Sequence, residues 1–266
     1  MGHITTKAFV MRSVVYGENR RLLDLLSEKG EILTVSCRMS SKLSPINALT
    51  MNFILAEFEL FAYRDRLRLD GGRLEYNFSG LQEDFDRLAA ASHLAEIYLD
   101  ALRTHEAMPQ AYQLWAYSVN RLNHSTTPLM DVRVAQLRFL SDLGFRPWLY
   151  DCGVCHAEYG EGTSFSFTEA SLLCRKPSCR QDLDRHQMVT VSPGLLAALR
   201  YILDAPYNAL FSFDLSARVR KEFKAFSDRY LEWVMEKAYH RLDLVEDLAR
   251  FTQEIKAGNP PAGKGE

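Results

Sequence analysis

The chain has 266 residues, 47% of them apolar and 25% charged, which suits a globular protein of one large domain or two to three small ones. A formal net charge of −2 excludes global steering toward nucleic acid, so any such contact has to be a local patch. Residues 1–80 carry 11 Lys/Arg against 9 Asp/Glu, and the remainder 21 against 25, which points to the N-terminal part.

No apolar run approaches the roughly 20 residues of a membrane span. Met1-Gly2-His3-Ile4-Thr5-Thr6 loosely fits an acylation pattern, but no polybasic segment or second anchor supports it, and it is read as chance. No internal repeat is visible.

Residues 4 to about 76 read as strands. Thr6, Ala8, Val10 and Arg12 alternate with Lys7, Phe9, Met11 and Ser13, the period of a pleated strand. Tyr16 to Asn19 is a turn. The leucines of Arg20 to Leu26 suit a helix. The turn Ser27 to Gly30 and the β-rich Ile32 to Cys37 behind it make a hairpin more economical. Phe53 to Tyr63 is another strand, and Leu67 to Tyr76 is expected to be a strand, a Gly71-Gly72 break and a return. Some five strands in this length suit a small closed barrel of the OB type, which leaves no exposed edge.

From Leu81 the period changes. Phe85, Leu88, Ser92, Ala95, Leu99 and Leu102 form an amphipathic stripe, with Glu83, Asp84 and Asp86 at its positive dipole end. Pro109 opens a second helix, and a third ends at Gly144. Ser192 caps a helix that begins with Pro193. A long helix spans about Asp214 to Tyr239. Its cations Arg218, Arg220, Lys221 and Lys224 read first as a solvated face and second as a nucleic-acid or partner contact. A last helix covers about Leu242 to Lys256, and a disordered tail follows from 258 to 266.

Between the third and fourth of these helices the spacing is C-x2-C-x18-C-x4-C, at Cys152, Cys155, Cys174 and Cys179. Two close pairs separated by a hairpin's worth of chain can set four thiolates at the corners of a tetrahedron, as a structural Zn²⁺ requires. Five cysteines and no secretory signal argue against two disulfides and for a reducing compartment. A ribbon around one structural zinc is therefore expected. Four thiolates leave no position for a catalytic water. His156 and His186 are read as surface histidines, His93, His105 and His124 as no ligands, and Cys37 as a buried thiol.

Catalytic chemistry is missing. The chain has no G-x-x-x-x-G-K-[ST], no G-x-G-x-x-G after a strand and no G-x-S-x-G. Asp84 and Asp86 lie on a solvated turn, where no raised pKa is expected. The pattern favours a binding or adaptor protein over an enzyme.

The order of parts, with several local motifs, resembles the RecO family of bacterial recombination mediators. Tyr16-Gly17-Glu18-Asn19 is similar to the family's "YGEND" turn, and Lys29-Gly30-Glu31-Ile32 to its "HGK" hairpin. Glu57-Phe58-Glu59-Leu60 is similar to its "LELELY" strand. Leu143-Gly144-Phe145-Arg146-Pro147, ahead of Cys152, resembles the family's approach to the ribbon, and Leu172-Leu173-Cys174 and Val191-Ser192-Pro193-Gly194-Leu195 also match. The resemblance implies an α+β protein. An OB-fold at 1–79 would bind DNA, and a helical domain (80–150 and 189–257) would carry the inserted four-cysteine zinc ribbon (151–188).

The resemblance also implies that the chain binds single- and double-stranded DNA and anneals complementary strands without ATP. With RecR it would help load RecA onto DNA coated by single-stranded-DNA-binding protein, whose acidic C-terminal tail would dock on it. The setting would be the bacterial cytoplasm, at the nucleoid. One departure stands out. The family's strongly basic loop after the third strand is represented by Cys37 to Leu43, with Arg38 and Lys42 as its only cations.

An OB-fold holds single strands by a basic groove and aromatic stacking. The expected phosphate contacts are Arg38 and Lys42 first, then Arg12, Arg20, Arg21, Arg64, Arg66 and Arg68. Tyr63 and Phe61 are available for stacking, with barrel core the first expectation for Phe61. Two other readings stay open: a zinc-ribbon interaction scaffold with no intrinsic DNA binding, and a zinc hydrolase with three ligands and a water.

Overall fold

The alternating N-terminal stretch forms β1 (Gly2–Val15), β2 (Arg20–Ser27) and β3 (Ile32–Arg38), then a helical turn α1 (Pro45–Ala48), β4 (Ile54–Tyr63) and β5 (Arg66–Asn77). In this computed structural model, which describes residues 2–39, 45–64, 66–103, 105–181 and 184–256, these strands close a barrel in the order β1-β2-β3-β5-β4. The closing joint β3–β5 is parallel, pairing Val35 with Leu67 and Ser36 with Arg68, and the other pairings are antiparallel. Closure removes the edges on which other chains could pair. Leu23, Leu25, Val35, Ala56, Phe58 and Leu60 fill the interior, together with Cys37. Burial pushes the Cys37 thiol up, against the opposing pull of Arg21.

Two expectations need correction here. β5 is one continuous strand. Gly71 and Gly72 do not break it; they let it approach β4, where a Cβ on Gly72 would sit 2.4 Å from the Glu57 carbonyl oxygen. Phe61 is not core, because Phe58 and Leu60 point inward and the strand's alternation turns Phe61 outward, against the His3 ring at 5.2 Å. β1 is buried on both faces over Ala8 to Met11, since Phe9 meets Phe78 and Tyr112 outside the barrel.

The helices follow as α2 (Phe85–Leu102), α3 (Pro109–His124) and α4 (Pro128–Asp142). Asp84 caps α2 by accepting the Arg87 amide at 2.9 Å. Of the expected stripe, Ala95, Leu99 and Leu102 are buried, Leu88 and Ser92 half-buried and Phe85 exposed, while Ala90, Ala91, Leu94, Ile97 and Tyr98 are buried as well. α2 is thus covered on more than one side, which blurs its periodicity. Gly144, at φ +100°, ends the segment after α4.

Strands β6 (Trp148–Cys152), β7 (Ser164–Ser166), β8 (Ser171–Leu173) and β9 (Met188–Thr190) form a second sheet in the order β6-β8-β7-β9. Three helices close the chain: α5 (Pro193–Asp204), α6 (Ala217–Met235) and α7 (Arg241–Lys256). Ser192 caps α5 as expected, accepting the Leu195 amide at 3.1 Å.

Two compact units result. The first takes Met1–Tyr112, Val119–Val132 and Ala238–Glu266, and the second Gln113–Ser118 and Arg133–Lys237. In the first, α7 lies on α2 through buried Leu242 and Val245, with Arg241 2.5 Å from Glu96 and the Tyr239 hydroxyl donating to Asp100 at 3.1 Å. In the second, Phe165 and Phe167 of the ribbon pack on Phe226 and Tyr230 of α6, with ring centroids 4.9–6.4 Å apart. Among the described residues no helix is long and apolar enough to cross a membrane. Lys42 and the tail from 258 lie outside the described residues.

Candidate metal centre and nucleic-acid interface

The four cysteines come together as their spacing predicts. Cys152 ends β6, Cys155 sits in the turn after it, Cys174 follows β8, and Cys179 ends a 3₁₀ turn at Pro177–Cys179. Their sulfurs all lie within 4.8 Å of one another, with Cys155 and Cys174 at 3.6 Å. A tetrahedral ion with bonds of about 2.3 Å spaces its sulfurs by about 3.8 Å. The donor set therefore fits a metal ion, and none of the four is in a disulfide.

The backbone prepares this corner. Gly153 donates to the Leu172 carbonyl at 2.8 Å, and a Cβ on it would lie 2.5 Å from the Ser171 hydroxyl. His156, at φ +55°, donates its amide to the Cys152 carbonyl at 2.9 Å. Burial pushes the Cys152 thiol up, but hydrogen bonds from the backbone of Cys174, Cys155 and Val154 outweigh it and hold it at about 6. Cys179 is pushed up to about 12, by burial and then by the neighbouring Cys155, Cys174 and Cys152 sulfurs. Such amides favour a thiolate, the form that binds metal. His156 and His186 are exposed, and neither joins the cluster.

The barrel arginines differ in what they meet. Arg12 and Arg68 are engaged by carboxylates: Arg12 by Asp24 at 2.7 Å, and Arg68 by Asp70 at 2.7 Å, with the Arg68 guanidinium also 5.4 Å from the Phe61 ring. Arg64 lies over the ring of exposed Tyr63 at 5.2 Å. Arg20, Arg21 and Arg66 instead line one groove of about 510 Å³, together with Tyr16, Leu22 and Ser36. Arg21 donates to the Ser13 hydroxyl at 3.0 Å. Arg38 stands directly opposite Arg20 across the β2–β3 ladder, and both are exposed.

The groove crosses β2 and β3 between the β1–β2 turn, which supplies Tyr16, and the β4–β5 turn, after which Arg66 begins β5. That is the face on which OB-folds receive oligonucleotides. Tyr16, 62% exposed, was not among the expected contacts. An aromatic in the first barrel turn beside two arginines was the signal available.

On the basic face of α6, three of the four expected cations are matched. Arg218 pairs with Glu222, Arg220 with Asp214 and Lys224 with Asp228, at 2.7–2.9 Å. A solvated, self-neutralised face accounts for them. The Asp86 carboxyl departs from expectation and is raised, by burial and then by the neighbouring charge of Asp84.

A family model described as "Recombination protein O C terminal" matches residues 82–243. A protein named DNA repair protein RecO from Acetivibrio thermocellus is 30% identical over 94% of this chain and 99% of its own length. Proteins of the same name from Exiguobacterium sibiricum and Roseiflexus are 25% and 27% identical, over 85% and 92% of this chain and 89% and 86% of their own lengths. Barrel, helices and four-cysteine cluster are thus spanned by one relationship, and the chain belongs to the RecO family of DNA repair proteins.

Proposed function

We propose that this chain is a recombination mediator and not an enzyme. It binds single- and double-stranded DNA through the barrel and anneals complementary strands without ATP. With RecR it helps load RecA onto DNA coated by single-stranded-DNA-binding protein, which it recognises by the acidic C-terminal tail. It works in the bacterial cytoplasm, at the nucleoid. The metal is one structural Zn²⁺ on Cys152, Cys155, Cys174 and Cys179. The functional division runs 1–79 for DNA, 80–150 with 189–257 for the helical body and 151–188 for the ribbon.

The observation that carries this reading is the groove of Arg20, Arg21 and Arg66 with Tyr16, on the oligonucleotide-binding face of a closed five-stranded barrel. Guanidiniums there supply phosphate contacts and Tyr16 a surface for a base. Arg38 extends the same face. Because Arg12 and Arg68 already answer carboxylates, the barrel offers fewer cations to a strand than its composition suggests. That specific observation keeps a second reading alive, a zinc-ribbon scaffold that acts only through partners.

Fluorescence anisotropy with a labelled oligo-dT at about 50 and 200 mM salt separates the two. Salt-sensitive binding, with one zinc per chain on the same sample, supports the mediator. One zinc with no binding at either salt supports the scaffold.

A further inference from the structure

A second concavity, of about 560 Å³, lies in the ribbon of the second unit. Arg175, Arg180 and Arg185 line it, with Pro177, Met188 and Val189 as its apolar wall. Two of these arginines are held in place. Arg180 donates from Nε to the Cys174 carbonyl at 2.7 Å and from Nη2 to the Gly162 carbonyl at 2.6 Å. Arg175 crosses the same glycine so closely that a Cβ there would lie 2.4 Å from its Cδ. Gly162, at φ +77°, is therefore the seat on which both side chains rest. The turn bearing Arg185 is fastened to α6 by Arg229, which donates to the His186 carbonyl and lies over the Phe167 ring at 4.3 Å.

Among the described residues no carboxylate forms an ion pair with any of the three, in contrast to the matched cations of α6. Like charges gathered around one concavity repel, and an anion placed between them relieves that cost. Guanidinium forks match phosphate oxygens. The opening is larger than one phosphate fills, and its apolar wall suits a sugar or base.

We propose that this ribbon concavity is a second nucleic-acid contact, taking the phosphodiester backbone of a single strand independently of the barrel groove. The proposal rests on the DNA-binding reading above. It gives the ribbon a role beyond stability, and it gives a strand-annealing protein a separate place for a strand.

The test replaces the two exposed arginines, as Arg175→Gln with Arg185→Gln, beside a barrel variant, Arg20→Gln with Arg66→Gln. Oligo-dT binding is titrated against salt for each. The ribbon variant is expected to lose several-fold in affinity and about 1.4 from the log–log salt slope, at about 0.7 per single-strand phosphate contact. Its metal content and melting should match the wild type. A wild-type slope in the ribbon variant, with a reduced slope in the barrel variant, overturns this proposal and leaves the DNA reading standing. No oligonucleotide binding by the wild type overturns both.

Lower metal content with unchanged binding would mean that the arginines only balance the charge of the thiolate cluster, and overturns it. So would inorganic phosphate, or an aspartate-rich peptide, binding at these arginines by calorimetry without any change in oligo-dT affinity. On the wild-type chain, bound oligo-dT should shield Arg175 and Arg185 from phenylglyoxal, read by peptide mass; equal modification with and without DNA also overturns the proposal.

Discussion

Arg12 brackets Asp24: its Nε and Nη2 lie 2.8 and 2.7 Å from the same carboxylate oxygen, on a residue only 4% exposed. Arg103, at the end of α2, reaches that oxygen at 2.9 Å, and Thr34 donates to the other at 2.9 Å. This network lies on the outside of the barrel wall and ties it to the helix end. Arg12→Ala should destabilise the protein by about 1–2 kcal/mol, since Arg103 remains and Arg12 itself is half exposed. Urea unfolding should show a lower midpoint with an unchanged slope. Oligonucleotide affinity should stay near wild type. A wild-type midpoint with lost affinity would return Arg12 to the interface.

Arg20 and Arg38 are cross-strand partners on the same face. Like charges directly opposite each other destabilise a ladder, so the pair adds nothing to stability by itself. Arg20→Ala with Arg38→Ala should leave stability unchanged or slightly raised. It should lower the single-strand salt slope by about 1.4, at about 0.7 per contact. Arg68→Ala should move it much less, because Asp70 already neutralises that guanidinium. An unaltered slope in the double variant would take both residues out of the interface.

What could be read from the chain follows from the range of the interaction concerned. Strand periodicity and the cysteine spacing are local, so the barrel and the four-cysteine cluster are legible in the sequence alone. The leucines of β2 favoured a helix, but the flanking turns decided otherwise. The pairing of cations was hidden, because Arg103 and Asp24 are 79 residues apart and Arg133 and Asp228 are 95 apart. The continuity of β5 was equally hidden: Gly71-Gly72 looks like a break unless the close approach of β4 is known. Arg175 and Arg180 follow Cys174 and Cys179 directly, yet only the fold shows that both rest on Gly162.

Arg133 is 2% exposed and meets Asp228 through Nε at 2.6 Å and Nη2 at 3.0 Å. Burial raises the Asp228 carboxyl, but the hydrogen bonds and charge of Arg133, and then those of Lys224, outweigh it and leave it below the usual carboxylate range. A carboxyl depressed on folding contributes stability that is present above its unfolded value, about 3.9, and is lost as pH falls through the lower folded value. Asp228→Asn should remove that part of the acid sensitivity. At neutral pH it should cost about 3–5 kcal/mol, since it leaves a buried guanidinium without its counter-charge. Urea midpoints across the acid range check both statements. Parallel pH profiles for variant and wild type would show that Asp228 is not the titrating group.

The four-cysteine cluster should govern the packing of α6 as well as the ribbon. Phe165 on β7 sits 4.9 Å from Phe226, and Tyr230 stacks on Trp233 at 5.9 Å, so one aromatic row runs from the ribbon sheet to that indole. Metal binding to such a cluster contributes about 10–16 kcal/mol of apparent folding free energy, because no preformed site exists in the unfolded chain. Cys174→Ala removes one ligand and leaves three thiols crowded together beside Arg180, whose Nε is bonded to the Cys174 carbonyl. The expected result is loss of bound metal, a shifted Trp233 emission and loss of near-ultraviolet aromatic ellipticity, or insoluble protein. A strong chelator acting on the wild type should reproduce the spectral changes, which separates metal loss from an effect of the substitution itself. A soluble, metal-free Cys174→Ala protein that melts like the wild type would mean that the ribbon folds on its hydrogen bonds and aromatic contacts alone.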